Sequence, residues 1–262
     1  MRNGAVAVWG SFFFLLFISP LKSFAETPAP AAEPAEYVVE DLQGSNAQVL
    51  KQGKTRWEAA QEGQVVAAGD EVKVGEKSEL TLMLHSETAV HLNENSDMKV
   101  GQIETNKTGG FLSRLTLLAG RILSDVKKNL QESHSTFEVE SNGVVCGVRG
   151  TAFEVDSKGD DARVLTHEGK VAVKDKDKSQ DVTAGNVFSF KKGKFTGKRV
   201  LTPEEIEGFK KWREHREQIL KKREARLEGV KKGKLKTSQA PKKSKAKPKR
   251  HKPPVKKELP AQ

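Results

Sequence analysis

Six histidines, one cysteine and 35 carboxylates are the residues of this chain that could do chemistry, and their spacing arranges none of them into a known catalytic pattern. The histidines fall at positions 85, 91, 134, 167, 215 and 251, without the spacing that would put two imidazoles on a zinc ion. Asp175-x-Asp177-x-Ser179 has the opening spacing of a calcium loop. It lacks the central glycine and closing glutamate, and Lys176 and Lys178 would repel a cation. There is no Gly-x-Ser-x-Gly elbow. Gly147-Val148-Arg149-Gly150 is glycine-rich, yet a strand pattern follows it, not the helix whose N-terminus would hold a phosphate. Asp160 and Asp161 read as turn residues. An enzyme acting on glycans would need two acidic groups facing each other in a cleft, about 5 to 9.5 Å apart, which spacing in sequence does not reveal. Cys146 has no cysteine to pair with and reads as a small buried strand residue. The expectation is a non-enzymatic protein with no catalytic residue, metal or cofactor, acting through binding.

The elements that carry these residues follow from hydrophobic period. Between Tyr37 and about Val200 short runs alternate apolar and polar residues, as in "SELTLMLH", "TAVHL", "SRLTLLAG", "RILSDV", "STFEVE", "ARVLTH", "KVAVKD" and "VFSF". Turn signals such as Gly109-Gly110, Asn142-Gly143 and Gly159-Asp160-Asp161 separate them. Many short strands with no helical pattern between them predict a mainly β domain, a sandwich or roll, over residues 37–200. Thr202-Pro203-Glu204-Glu205 then supplies a helix start with a cap, a first-turn proline and a capping-box glutamate. Ile206, Phe209, Trp212, Ile219, Leu220, Leu227 and Val230 form a stripe behind it, predicting one long amphipathic helix over 202–230. It would pack on the β domain or on a second copy of itself.

The two ends read differently. Arg2, the apolar run from Ala5 to Ile18, Pro20 and Ser23-Phe24-Ala25 have the parts of a secretory signal, with cleavage after Ala25. The apolar run is shorter than the ~20 residues that span a bilayer. Residues 26–36, "ETPAPAAEPAE", read as a Pro/Ala-rich linker. Residues 231–262 carry thirteen Lys and Arg against Glu258 alone, so this tail carries +12, more than the whole formal net charge of +11. Its few apolar residues and its prolines predict disorder. Lys242, Lys243, Lys245, Lys247, Lys249, Arg250, Lys252, Lys256 and Lys257 are the candidate electrostatic contacts. Periplasmic or secreted, the tail would meet peptidoglycan, lipopolysaccharide or phospholipid head groups, or it would only solubilise the chain. Nucleic acid is the competing polyanion, but the tail has no aromatic for base stacking and export would separate it from the chromosome.

The segment 142–155, "NGVVCGVRGTAFEV", poses the sharpest question. Strand parity puts Phe137, Val139, Val145, Phe153 and Val155 on one face and would aim Arg149 at the same apolar side. Either bulges at Gly147 and Gly150 turn Arg149 outward, or Arg149 points inward and bonds strand-end carbonyls as a lock. "VCGVRGTAFEV" resembles the signature of the FecR-type domain, a Val-Arg-Gly-Thr followed by an alternating strand. "AAGDEVKVGEKSELTLMLHSETAVHLNENSDMKV", with Gly69-Asp70, resembles the family's opening, and "LLAGRILSDV" the strand pair before the signature. "VLTHEGKVAVKD" and "VTAGNVFSF" resemble its close, so that the resemblance spans roughly 65–190. It marks Gly147, Arg149, Gly150, Thr151 and Phe153 as structural or partner-binding residues. It also implies an exported β domain that contacts proteins of the cell envelope. The well-known members regulate a sigma factor through a cytoplasmic segment and a membrane span. With an export signal leading the chain, a stand-alone envelope binding or scaffold protein is expected here, with a part in envelope signalling as the alternative.

Overall fold

The computed structural model describes residues 36–84, 88–105, 111–127, 135–176 and 178–231. The expected export signal, most of the linker, the basic tail, His85, His134 and His251 lie outside these residues. Seventeen strands come first: β1 (Tyr37–Gln43), β2 (Ala47–Leu50), β3 (Glu58–Ala59), β4 (Val65–Val66), β5 (Glu71–Val74), β6 (Glu79–Leu84), β7 (Thr88–Leu92), β8 (Ser96–Thr105) and β9 (Phe111–Val126), then β10 (Thr136–Ser141), β11 (Val144–Val148), β12 (Thr151–Lys158), β13 (Asp161–Glu168), β14 (Lys170–Lys174), β15 (Ser179–Thr183), β16 (Asn186–Lys191) and β17 (Lys194–Val200). The helix α1 (Pro203–Lys231) closes the described chain.

The strands make two open sheets. The first runs β4-β1-β6-β7-β9-β12-β13-β16-β17. The second runs β3-β2-β5-β8-β9-β10-β11-β14-β15. Only the β9–β10 pair is parallel among these. The sheets share β9, and here the structure departs from the sequence reading. "SRLTLLAG" and "RILSDV" are one 16-residue strand, not two. Phe111 to Ala119 pairs in the second sheet and Gly120 to Val126 in the first. The switch sits at Gly120, whose φ is +83°, and a Cβ there would lie 2.4 Å from the Asn95 carbonyl oxygen. Glycine keeps the crossing continuous because no side chain fits.

Period-two patterning explains what fills the space between the sheets. Leu80, Leu82 and Leu84 of β6 join Val139, Val155, Val164 and Phe190 in one core. The Tyr37 hydroxyl spans the sheets to Ser113 Oγ at 2.7 Å, and the Phe137 and Phe153 rings meet edge to face at 6.2 Å. Each fully buried side chain of this size contributes roughly 1.5–3 kcal/mol. Met83 of β6 points the other way, to the outer face of the first sheet, where α1 lies.

Candidate functional site: the signature corner and the helix seam

The segment around Arg149 is the place where the chain changes sheets. Asn142 and Gly143, at φ +48° and +79°, make a two-residue hairpin turn that pairs Ser141 with Val144. An even-length loop moves the inward set from Phe137, Val139 and Ser141 to Val144, Cys146 and Val148, all buried. Val145 therefore faces outward and is only half-buried, against the parity read from sequence. Arg149 is exposed. The outward reading is correct, but its cause is different: the register of β11 runs unbroken past Gly147 on both sides, so there is no bulge there. A Cβ on Gly147 would meet only the Ala172 carbonyl oxygen, at 3.9 Å. Gly150, at φ +67°, makes the corner from β11 in the second sheet to β12 in the first. Thr151 is buried and its hydroxyl donates to the Lys170 carbonyl at 3.1 Å. Phe153 is fully buried in the core. Arg149 makes no hydrogen bond or ion pair with the described residues, so the corner displays an exposed guanidinium.

The second motif read from sequence, Gly69-Asp70, is a brace. Asp70 is buried and accepts from Lys51 Nζ at 2.6 Å, Gln52 N at 2.8 Å and Ala67 N at 2.9 Å. It ties together the loops before β3 and β5.

Helix α1 begins as its sequence predicts. Glu205 N donates to Thr202 Oγ1 at 3.3 Å and Thr202 N donates to Glu205 Oε2 at 2.9 Å, both arms of a capping box. Arg199 grips Glu205 in a bidentate pair at 2.6 and 2.8 Å, and this bond leads the effects that hold the Glu205 carboxyl down to about 2. The helix lies on the outer face of the first sheet, where Phe209, Trp212 and Leu220 pack with Met83, Ala89, Leu123 and Ala152. Ile219 is buried as well. Ile206 and Leu227 are exposed, which corrects the expected continuous apolar stripe; the side chain of Val230 lies outside the described residues.

Charge completes what the short stripe leaves out. Arg226 Nη2 reaches Glu40 Oε2 at 2.6 Å, and Arg223 Nε lies 3.4 Å from the same carboxylate. His215 Nε2 meets Asp41 Oδ2 at 2.8 Å, and the buried Arg216 stands 3.4 Å from Asp125. Under the helix, His167 Nε2 meets Glu154 Oε1 at 2.6 Å while its ring stacks on Phe209 at 4.2 Å. Burial pushes the Asp125 carboxyl up, with Arg216 opposing. Sequence reasoning missed this seam, although it had a signal: Arg216, Arg223 and Arg226 share the helical face of Phe209, Trp212 and Ile219.

Two clefts flank α1. One of about 360 Å³ lies between the signature corner and the helix, lined by Lys127, Gly150, Thr151, Glu168, Arg213 and Arg216. The other, about 550 Å³, lies under the N-terminal half of α1 beside His91, Arg121, Glu154, Lys211 and Trp212. The buried carboxylates Glu40, Asp41, Asp125 and Glu154 each have a basic partner. The Cys146 thiol is buried and pushed up to about 12, so it is inert at neutral pH. Among the described residues no group of three or more His, Cys, Asp or Glu could hold a metal, and no helix is long and apolar enough to cross a membrane.

Fold and corner together define a two-sheet β domain fastened to a C-terminal helix. Residues 70–172 match the model of the FecR protein family, so the chain carries a FecR-type domain. Two crystal structures of a candidate anti-sigma factor from Parabacteroides distasonis ATCC 8503 are similar in part. One has a TM-score of 0.44 at 18% identity over 53% of this chain, the other 0.41 at 19% over 50%. This chain spans 63% and 59% of their lengths. No curated protein matches it in sequence.

Proposed function

We propose that this chain is a non-enzymatic binding or scaffold protein of the cell envelope. Residues 1–25 export it and are cleaved after Ala25. The FecR-type domain contacts a protein or polymer partner, and the lysines of the 231–262 tail hold an anionic envelope surface. Arg149 is the observation that carries the reading. It stands exposed on a corner whose neighbours Val148 and Thr151 are buried, within the FecR match. A solvated guanidinium on a rigid turn adds little to folding and is well placed for a carboxylate or phosphate of a partner. A part in envelope signalling is the second reading, favoured by the FecR match itself.

The test is site-specific photo-crosslinking from position 127, whose Lys127 lines the cleft beside Gly150, in the full chain with Arg149 kept and with Arg149→Ala. A crosslinked envelope partner that Arg149→Ala loses, with the unfolding free energy unchanged within about 0.5 kcal/mol, supports the reading. A variant that keeps the same partner at the same yield removes Arg149 from it.

A further inference from the structure

The end of the sandwich away from the signature corner gathers like charge. Three hairpin turns and one loop converge there. Asn142 Nδ2 donates to the Asp161 carbonyl at 2.9 Å and to Ser157 Oγ at 3.0 Å, joining the 142–143 turn to the 159–160 turn. Lys192 N donates to the Asp160 carbonyl at 2.9 Å, bringing in the 192–193 turn. A Cβ on Gly143 would lie 3.5 Å from Gly193 Cα and 3.9 Å from Lys176 Cε, so the Lys176 side chain is there too. Glycines at positive φ allow this approach, since Gly193 with a Cβ would press on the Gly143 oxygen at 3.0 Å.

On these turns stand Lys158, Lys176, Lys178, Lys191, Lys192 and Lys194, all exposed. Among the described residues the carboxylates on these turns are the exposed Asp160 and Asp161 and the buried Asp175; Asp177, between Lys176 and Lys178 in sequence, lies outside them. Asp175 is occupied in part by the Lys178 backbone N–H at 2.8 Å. Lys192 pairs loosely with Asp160 at 3.5 Å, both well exposed, and Lys178 lies 5.6 Å over the Phe195 ring. The other four lysines form no ion pair with the described residues. Bringing like charges within a Debye length of about 8 Å opposes folding.

We propose that this lysine-rich end docks on an anionic lipid surface. The ammonium groups come from separate turns at one end of a rigid sandwich, so they present a layer of point charges. Lysine's compact, hydrated charge suits head groups that move laterally, where arginine's fork suits one fixed anion. This surface goes beyond the proposed function, because the tail contributes nothing to it and it needs only folded β turns.

The experiment is co-sedimentation of the full chain with vesicles of phosphatidylglycerol and phosphatidylcholine in equal parts. All thirteen Lys and Arg of residues 231–262 are changed to glutamine so that the tail cannot mask the result. In that background Lys158→Gln, Lys191→Gln and Lys194→Gln are added singly and together. The expected result is a partition coefficient falling about fivefold for each lysine removed, with unchanged circular dichroism. Binding by the triple variant equal to that of its background overturns the proposal. So does equal binding to phosphatidylcholine alone, or to a soluble polyphosphate as tightly as to the vesicles. A failure of the crosslinking test leaves these outcomes unaffected, which keeps the two ideas separable.

Discussion

Single residues divide here into those the fold requires and those it displays. Gly120 is required. At φ +83°, with the Asn95 oxygen and Ser96 Cα within 2.5 Å of a would-be Cβ, Gly120→Ala should destabilise by at least about 2 kcal/mol in urea unfolding. Phe153→Ala opens the core behind the signature and should cost about 3–5 kcal/mol. Gly147, by contrast, occupies an ordinary strand position, so Gly147→Ala should change stability by less than about 1 kcal/mol. A loss as large as that of Gly120→Ala would show that β11 is bulged at Gly147. Arg149 is displayed. Sequence parity alone could not decide its direction, because the deciding event is the two-residue loop at Asn142-Gly143 and not a glycine beside the arginine.

At the scale of elements the central object is α1. Its start was legible in "TPEE" because capping chemistry is local. Its attachment was less so, because pairs such as Arg226–Glu40 and His215–Asp41 join positions more than 170 residues apart in sequence. The helical spacing of Arg216, Arg223 and Arg226 marks the face of α1 that is buried, but nothing in it names the carboxylates that face meets. That asymmetry explains why the strands could be read and the partners across the seam could not. Two predictions follow from the charges. Glu205 has its carboxyl lowered to about 2, so it binds protons less readily folded than unfolded. Its contribution to holding the helix start is complete above the ordinary glutamate range, near 4.3, and is lost as pH falls toward 2. Glu205→Gln should abolish that part of an acid unfolding profile and leave the neutral baseline slightly lower. Asp125 has the opposite sign: its raised carboxyl favours the folded state as pH falls. Arg216→Ala strands the buried Asp125 and should cost about 3–5 kcal/mol, and adding Asp125→Asn should restore part of it. A double variant no better than the single one would show that Arg216 acts through packing alone.

For the whole molecule, a β domain with a FecR match over residues 70–172 is fastened to its helix by buried charge, and the proposal is an exported chain that works by binding. The domain type was readable because its pieces come in a fixed order, from Gly69-Asp70 through Val-Arg-Gly-Thr. The partner was not, since an exposed arginine and a lysine-rich tail specify charge and not identity. The measurement that bears most directly on this account is cell fractionation of the full chain, with its first residue determined by N-terminal sequencing. It is run beside a chain ending at Val230, with and without added salt. The account predicts a mature chain beginning at Glu26, held in the envelope fraction, with retention that both salt and loss of the tail reduce. A chain found in the cytoplasm with its first 25 residues intact, or one bound to nucleic acid, would contradict it.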